Sequence, residues 1–218
     1  MRFGVLAAVP LPSGTEPVAE EVLTRLHPRE AELARSERGR RQIEVVGGRL
    51  AYHAARSELG LGEATPLLSS SSRAPLCPPG VTASVSHKED LALALVASSA
   101  DGLVGVDLEG GPRDRSAIMS KVCRPEELEA VQRLPETERW PNVMVRFAVK
   151  EAIYKAIAPQ LGRFFGFQAA RVEPEATRAT VTMFLEPTDP HYRVEVELER
   201  LGTDRVIAMV RASVSDRP

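Results

Sequence analysis

Val104-Gly105-Val106-Asp107-Leu108-Glu109-Gly110 reads as a short strand that ends in the Gly110-Gly111-Pro112 break. Successive strand side chains point to opposite faces, so Val106 and Leu108 belong to a core while Asp107 and Glu109 share the other face. What flanks this strand decides the fold class. Downstream come two short helical segments, Ser116–Val122 and Pro125–Leu134, and a longer one from about Pro141 to Ile157 that Pro159 is expected to end. Strands follow near Ala169–Glu173, Thr180–Leu185, Tyr192–Leu198 and Val206–Ser213, with the clearest alternation in Arg193-Val194-Glu195-Val196-Glu197-Leu198.

Upstream the style is the same. Residues 2–9 read as a strand rather than as a leader peptide, and Pro10 to Pro17 as a loop. A helical region from Pro17 is broken at His27-Pro28. From Arg38 to Leu59 the apolar residues Ile43, Val46, Leu50, Ala54 and Ala55 recur at helical spacing, and Gly60 and Gly62 close the segment. Ser69–Pro79 reads as loop, and Thr82–Ser86 and Leu91–Ala97 as strands around the turn His87-Lys88-Glu89-Asp90. Each half thus has one long helix and a few strands without βαβ alternation. The expectation is α+β, as two similar lobes divided at 1–102 and 103–218, although no sequence repeat is visible between them.

Composition narrows the function classes. The 218 residues carry 28 basic and 30 acidic side chains, a net charge of −2, which removes the electrostatic case for a nucleic-acid binder. No apolar run approaches the roughly 20 residues of a membrane span. Cys77 and Cys123 make neither a disulfide framework nor a zinc motif, and a reducing cytoplasm is the expected compartment. Only Lys88, Lys121, Lys150 and Lys155 among the 28 basic residues are lysine, which marks them as positions that favour a compact ammonium.

Four segments could carry chemistry. Asp107 and Glu109 side by side repel, and a hard divalent cation would compensate them; on this segment alone, solvated acids at a strand end are the plainer reading. Glu151 and Lys155, at i and i+4, share one helix face amid Phe147, Val149, Ile153 and Ile157, where a surface ion pair is the plainer reading. Ser84-Val85-Ser86-His87 offers a histidine able to meet a phosphate, and no GxSxG elbow supports a serine hydrolase. Arg35, Arg38, Arg40, Arg41 and Arg49, offset by Glu37 and Glu44, form either a solvated helix face or a cradle for a phosphate monoester.

Taken in order, Ser84-Val85-Ser86-His87, Val104-Gly105-Val106-Asp107-Leu108-Glu109 and Phe147-Ala148-Val149-Lys150-Glu151-Ala152-Ile153-Tyr154-Lys155 resemble the signature segments of 4′-phosphopantetheinyl transferases, of the Sfp/enterobactin-synthetase type. Arg40-Arg41-Gln42-Ile43-Glu44 and Gly47-Gly48-Arg49-Leu50-Ala51 upstream, and Leu161-Gly162-Arg163-Phe164-Phe165-Gly166-Phe167 downstream, are similar to that branch as well. The resemblance implies two lobes related by a pseudo-twofold axis, with the active site at their junction. It implies transfer of 4′-phosphopantetheine from coenzyme A to a serine of an apo acyl or peptidyl carrier protein, with Mg²⁺ required and 3′,5′-ADP released. By resemblance Asp107, Glu109 and Glu151 are the metal ligands, and Glu151 and Lys155 the catalytic pair. Coenzyme A falls to Arg41, Arg49, Arg73, Ser86, His87, Asp107, Lys150 and Lys155. The type implies a monomer that engages neither nucleic acid nor membrane. A metal-dependent phosphohydrolase using the same carboxylates, and a nonenzymatic coenzyme A-binding homologue, are the competing readings.

Overall fold

The structure, a computed structural model, describes residues 3–61, 65–70, 74–111 and 116–215. The chain separates into two compact units, Met1–Val104 and Gly105–Pro218. In the first, β1 (Val5–Pro10) is followed by α1 (Glu20–Leu23), α2 (Pro28–Ser36) and α3 (Gly39–Glu58). After the two-residue strands β2 (Leu68–Ser69) and β3 (Pro75–Leu76) come β4 (Val81–Lys88) and β5 (Leu91–Ser98). β5 is the central strand of an antiparallel β1-β5-β4 sheet, paired Val5↔Val96 on one side and His87↔Ala92 on the other. The β4–β5 turn falls on Glu89 and Asp90, within the predicted segment, and Glu89 takes the left-handed conformation at φ 48° that so short a connection needs. Tyr52, Ala51 and Ala55 of α3 close over Ala94 and Val96 of the sheet. Each large side chain buried in this way contributes about 1.5–3 kcal/mol. Gly60, at φ 67°, ends α3 as predicted, whereas Gly62 lies outside the described residues.

β6 (Leu103–Gly110) runs across the division into the second unit, which continues through α4 (Met119–Val122), α5 (Pro125–Gln132) and α6 (Glu136–Leu161). β7 (Ala170–Pro174) pairs with β8 (Ala179–Met183) in a separate ribbon. β9 (His191–Leu201) and β10 (Arg205–Ser215) form a long antiparallel hairpin, and the sheet order is β6-β10-β9. Each unit therefore runs strand, helices, hairpin, with the last strand central. The fold is α+β.

α6 departs from its predicted span. It begins five residues before Pro141 and runs past Pro159 to Leu161, a helix of 26 residues. A proline inside a helix costs roughly 3 kcal/mol. Here the buried face of Val143, Met144, Val149, Ile153 and Ile157 outweighs that cost. The stop signal is Gly162, left-handed at φ 66°, whose N–H donates to the Ala158 carbonyl at 3.0 Å.

One further regularity joins the two units. Pro28 and Pro125 each open a helix, and Gly39 and Glu136 each open the long helix that follows. Both pairs are separated by the same shift along the chain (125 − 28 = 97, 136 − 39 = 97).

Candidate active site

In the second unit, β6 and α6 bring three predicted residues together. Gly105 makes this possible, because a Cβ there would sit 1.9 Å from the Ala152 carbonyl oxygen, so strand and helix backbones touch. One residue pair along, Asp107 is only 5% exposed. Lys155 of α6 donates from Nζ to Asp107 Oδ1 at 2.7 Å and to the Val106 carbonyl at 3.1 Å. A buried carboxylate and a half-buried ammonium therefore meet at the junction of strand and helix.

Glu151 lies one turn before Lys155. Burial raises its carboxyl above the ordinary glutamate range, the negative charges of Asp107 and Glu109 raise it further, and Lys155 opposes them. Glu109 follows on the same face of β6. Three carboxylates and one ammonium thus share a common field that is negative on balance. Oxygen donors with surplus negative charge suit a hard divalent cation such as Mg²⁺. As they stand, no three His, Cys, Asp or Glu side chains among the described residues are closed around a metal position.

Beside Glu151 lies a feature the sequence reading did not name as a site. A cavity of about 150 Å³ is bordered by Glu151, Tyr154, Phe164, Phe165 and Phe167. Tyr154 packs on Phe164 and Phe165 with ring centroids 5.7 and 5.2 Å apart, and Phe164 remains 76% exposed. Tyr154 sits three residues from Glu151 on α6, a spacing that places it on a neighbouring part of the same face. Its partners arrive from beyond the helix, so periodicity alone does not reveal the cavity.

Lys150 also borders this cavity, but its ammonium is bound elsewhere. Its side chain is buried and donates from Nζ to Glu127 Oε2 at 2.5 Å and to the Val122 carbonyl at 2.8 Å. The structure thus commits this ammonium to Glu127 and Val122: adjacent residues on a helix diverge by about 100°, and Lys150 points into the unit's own core.

In the first unit, α3 and the end of β4 bring Arg41 and His87 together. Arg41 Nη1 lies 3.2 Å from His87 Nε2, and Glu44 Oε1 lies 3.5 Å from His87 Nδ1. A guanidinium can only donate, so Nε2 accepts and the ring proton sits on Nδ1, facing Glu44. Glu44 also stands 3.5 Å from Arg41, so it braces both groups, a role that charge counting along the helix did not reveal. Ser86 is buried and, by strand alternation, on the opposite face from His87.

Arg49 is buried too, donating to the Leu67 carbonyl at 3.1 Å and to Ser69 Oγ at 2.8 Å. Burial lowers its pKa, the Glu30 charge opposes the shift, and Arg41 adds to it. Its bonds tie α3 to the chain at Leu67–Ser69, a structural task the predicted phosphate contact did not anticipate. Arg73 lies outside the described residues.

Comparison with known proteins bears on both units. The 4′-phosphopantetheinyl transferase superfamily domain matches residues 103–210, and the 4′-phosphopantetheinyl transferase N-terminal domain matches residues 29–97. The chain belongs to the 4′-phosphopantetheinyl transferase superfamily. It is 29% identical over 170 residues to 4′-phosphopantetheinyl transferase Npt of Nocardia iowensis, covering 74% of this chain and 73% of that protein. It is 29% identical over 173 residues to 4′-phosphopantetheinyl transferase Svp of Streptomyces mobaraensis, covering 76% and 69%. It is 28% identical over 148 residues to 4′-phosphopantetheinyl transferase PptT of Mycobacterium tuberculosis, covering 66% and 63%. These relatives support a transferase. No helix among the described residues is long and apolar enough to cross a membrane.

Proposed function

We propose that the protein transfers the 4′-phosphopantetheine arm of coenzyme A to a serine of an apo acyl or peptidyl carrier protein and releases 3′,5′-ADP. The observation that carries this reading is the Asp107–Lys155 pair set beside Glu151. The carrier serine oxygen attacks the phosphorus that bears the pantetheine, and the bond from that phosphorus to the oxygen of the departing nucleotide breaks. The serine proton passes to Glu151. Glu151 is placed for this on the same helix face as Lys155, one turn before it. Lys155, on a mobile four-carbon stem, meets the pyrophosphate and then the negative charge that collects on the leaving group. Asp107, Glu109 and Glu151 would hold a Mg²⁺ ion, which when bound supplies neutralising charge for the pyrophosphate oxygens.

The first unit supplies phosphate recognition. Arg41, steadied by Glu44 and seated against His87, suits the 3′-phosphate of coenzyme A through charge-assisted hydrogen bonds. The aromatic cavity beside Glu151 suits the aliphatic part of the pantetheine arm. We further take the protein to act as a cytoplasmic monomer.

Intact-protein mass spectrometry of an apo carrier protein incubated with this protein, coenzyme A and Mg²⁺ tests the proposal. A gain of one phosphopantetheine, absent with EDTA and absent for the carrier's Ser→Ala variant, is expected. Cleavage of coenzyme A without transfer would make the protein a hydrolase, and unchanged coenzyme A across several carrier types would make it a binding protein.

A further inference from the structure

Both units are organised around a buried glutamate built in the same way. Glu30, in the first turn of α2, accepts from the His27 amide at 3.1 Å and the Leu67 amide at 2.7 Å, and its carboxylate lies 2.7 Å from His53 Nε2 on α3. Glu127, in the first turn of α5, accepts from the Arg124 amide at 2.7 Å, the Val172 amide at 2.6 Å and Lys150 Nζ on α6 at 2.5 Å. Each carboxylate thus takes one amide from its own helix cap, one from a distant segment, and one side-chain donor from the long helix. The long-helix donor follows its glutamate by 23 positions in both cases. A buried arginine precedes that donor by one turn in each unit, Arg49 and Arg146, the latter with Nε 3.9 Å from Glu127. All three pairs obey the same 97-residue shift as the helix starts (127 − 30, 146 − 49, 150 − 53).

The shift also shows where the units differ. Glu151 corresponds to Ala54 and Lys155 to Glu58, so only the second unit carries the acid and ammonium pair on the helix its glutamate holds. The glutamate hub is therefore common to both units, and the proposed chemistry is an addition to one of them. Lys150 immediately precedes Glu151. With about 100° between adjacent residues, fixing the direction of Lys150 fixes the directions of Glu151 and, one turn on, Lys155. Reacting groups must be held to within roughly 10–20° of the productive geometry.

We propose that Glu127 is a positioning residue for the transfer reaction: by gripping Lys150 it sets the rotation of α6 and aims Glu151 and Lys155 at Asp107. Lys150 is the strut of this device rather than a phosphate ligand. Glu30, its counterpart, sets α3 and hence Arg41 instead. The inference rests on the proposed transfer activity.

Steady-state transfer kinetics of the full chain, with urea unfolding curves to confirm that each variant is folded under assay conditions, test it. Glu127→Gln is expected to lower kcat by about tenfold or more with the coenzyme A KM changed less than about threefold. Glu30→Gln is expected to do the reverse, raising the coenzyme A KM with little change in kcat. Glu127→Asp keeps the charge but shortens the grip by one methylene, and serves if the glutamine variant does not fold; the same kcat-selective loss is expected. Unchanged kcat in a folded Glu127 variant overturns the positioning role. A rise in coenzyme A KM alone, in Glu127→Gln or in Lys150→Met, returns Lys150 to substrate binding and overturns it too. A wild type that transfers nothing overturns the transfer reading itself, and the positioning proposal with it.

Discussion

Gly105→Ala is the sharpest probe of how strand and helix build the site. The added Cβ would meet Ala152 O at 1.9 Å, Ala152 C at 2.9 Å and Ala156 N at 3.0 Å, all backbone atoms that cannot rotate away. To reach even a tight contact of 3.0 Å with the carbonyl, α6 and β6 must separate by at least 3.0 − 1.9 = 1.1 Å. Gly105 is not among the glycines with positive φ, so the penalty is steric rather than conformational. Overpacking of this kind costs about 1–3 kcal/mol, and a clash with fixed backbone atoms belongs at the upper end. At about 2–4 °C per kcal/mol for a chain of this size, Tm should fall by about 6–12 °C. The same displacement would stretch the 2.7 Å Lys155–Asp107 bond beyond hydrogen-bonding range. A misplacement of about 1 Å can cost a hundredfold in rate. Thermal unfolding and single-turnover transfer to an apo carrier read the two effects separately. A variant within about 1 kcal/mol of wild-type stability and within threefold of its rate would refute the close-approach argument.

Four further outcomes are expected. Lys155→Ala should reduce kcat by about tenfold or more through lost charge stabilisation, and a change confined to the coenzyme A KM would make Lys155 a binding residue. Arg41→Ala should raise the KM for coenzyme A by about tenfold while leaving that for 3′-dephospho-coenzyme A almost unchanged; equal effects on both would place Arg41 away from the 3′-phosphate. Lys150→Met strands the Glu127 carboxylate in the core, and about 3 kcal/mol should be lost in urea unfolding, the low end of the range for such pairs because Arg146 stays nearby; a loss under 1 kcal/mol would contradict the buried pair. Burial raises the Cys77 and Cys123 thiols above the ordinary cysteine range, so less thiolate is present at pH 8 than in the unfolded chain. Iodoacetamide should therefore label the native protein at least about tenfold more slowly than the urea-unfolded chain, and equal rates would contradict that burial.

Most of the secondary structure was legible because it follows from short-range rules. Alternation located β6 and β9, the apolar spacing located α3, and the first-turn prolines marked the starts of α2 and α5. The ends of α6 do not follow the proline rule because packing dominates there: the helix is held by its buried face and stopped by Gly162. The likeness of the two halves was expected from their element order, but not a repeat at the level of residues. Pro28, Glu30 and Arg49 recur as Pro125, Glu127 and Arg146, but such identities are scattered, and a buried carboxylate needs only a donor of the right reach, which His53 and Lys150 both provide.

By itself the sequence determined which chemistry-bearing residues exist and in what order: an acid pair on a strand, an acid and a lysine one turn apart on a helix, and an arginine-rich helix ahead of a Ser-His strand end. Periodicity also placed Glu151 and Lys155 on one face, since that depends only on the 3.6-residue turn. Only the tertiary structure decided which lysine faces the acids. Lys150 and Lys155 look alike in the chain, yet Glu127 and Val122 draw one inward while Val106 and Asp107 receive the other. The same holds for the arginines, Arg49 being drawn into the frame by Leu67 and Ser69 while Arg41 is set beside His87 and Glu44. A side chain's neighbours 20 to 50 residues away set its burial and its partners, and no local pattern contains them.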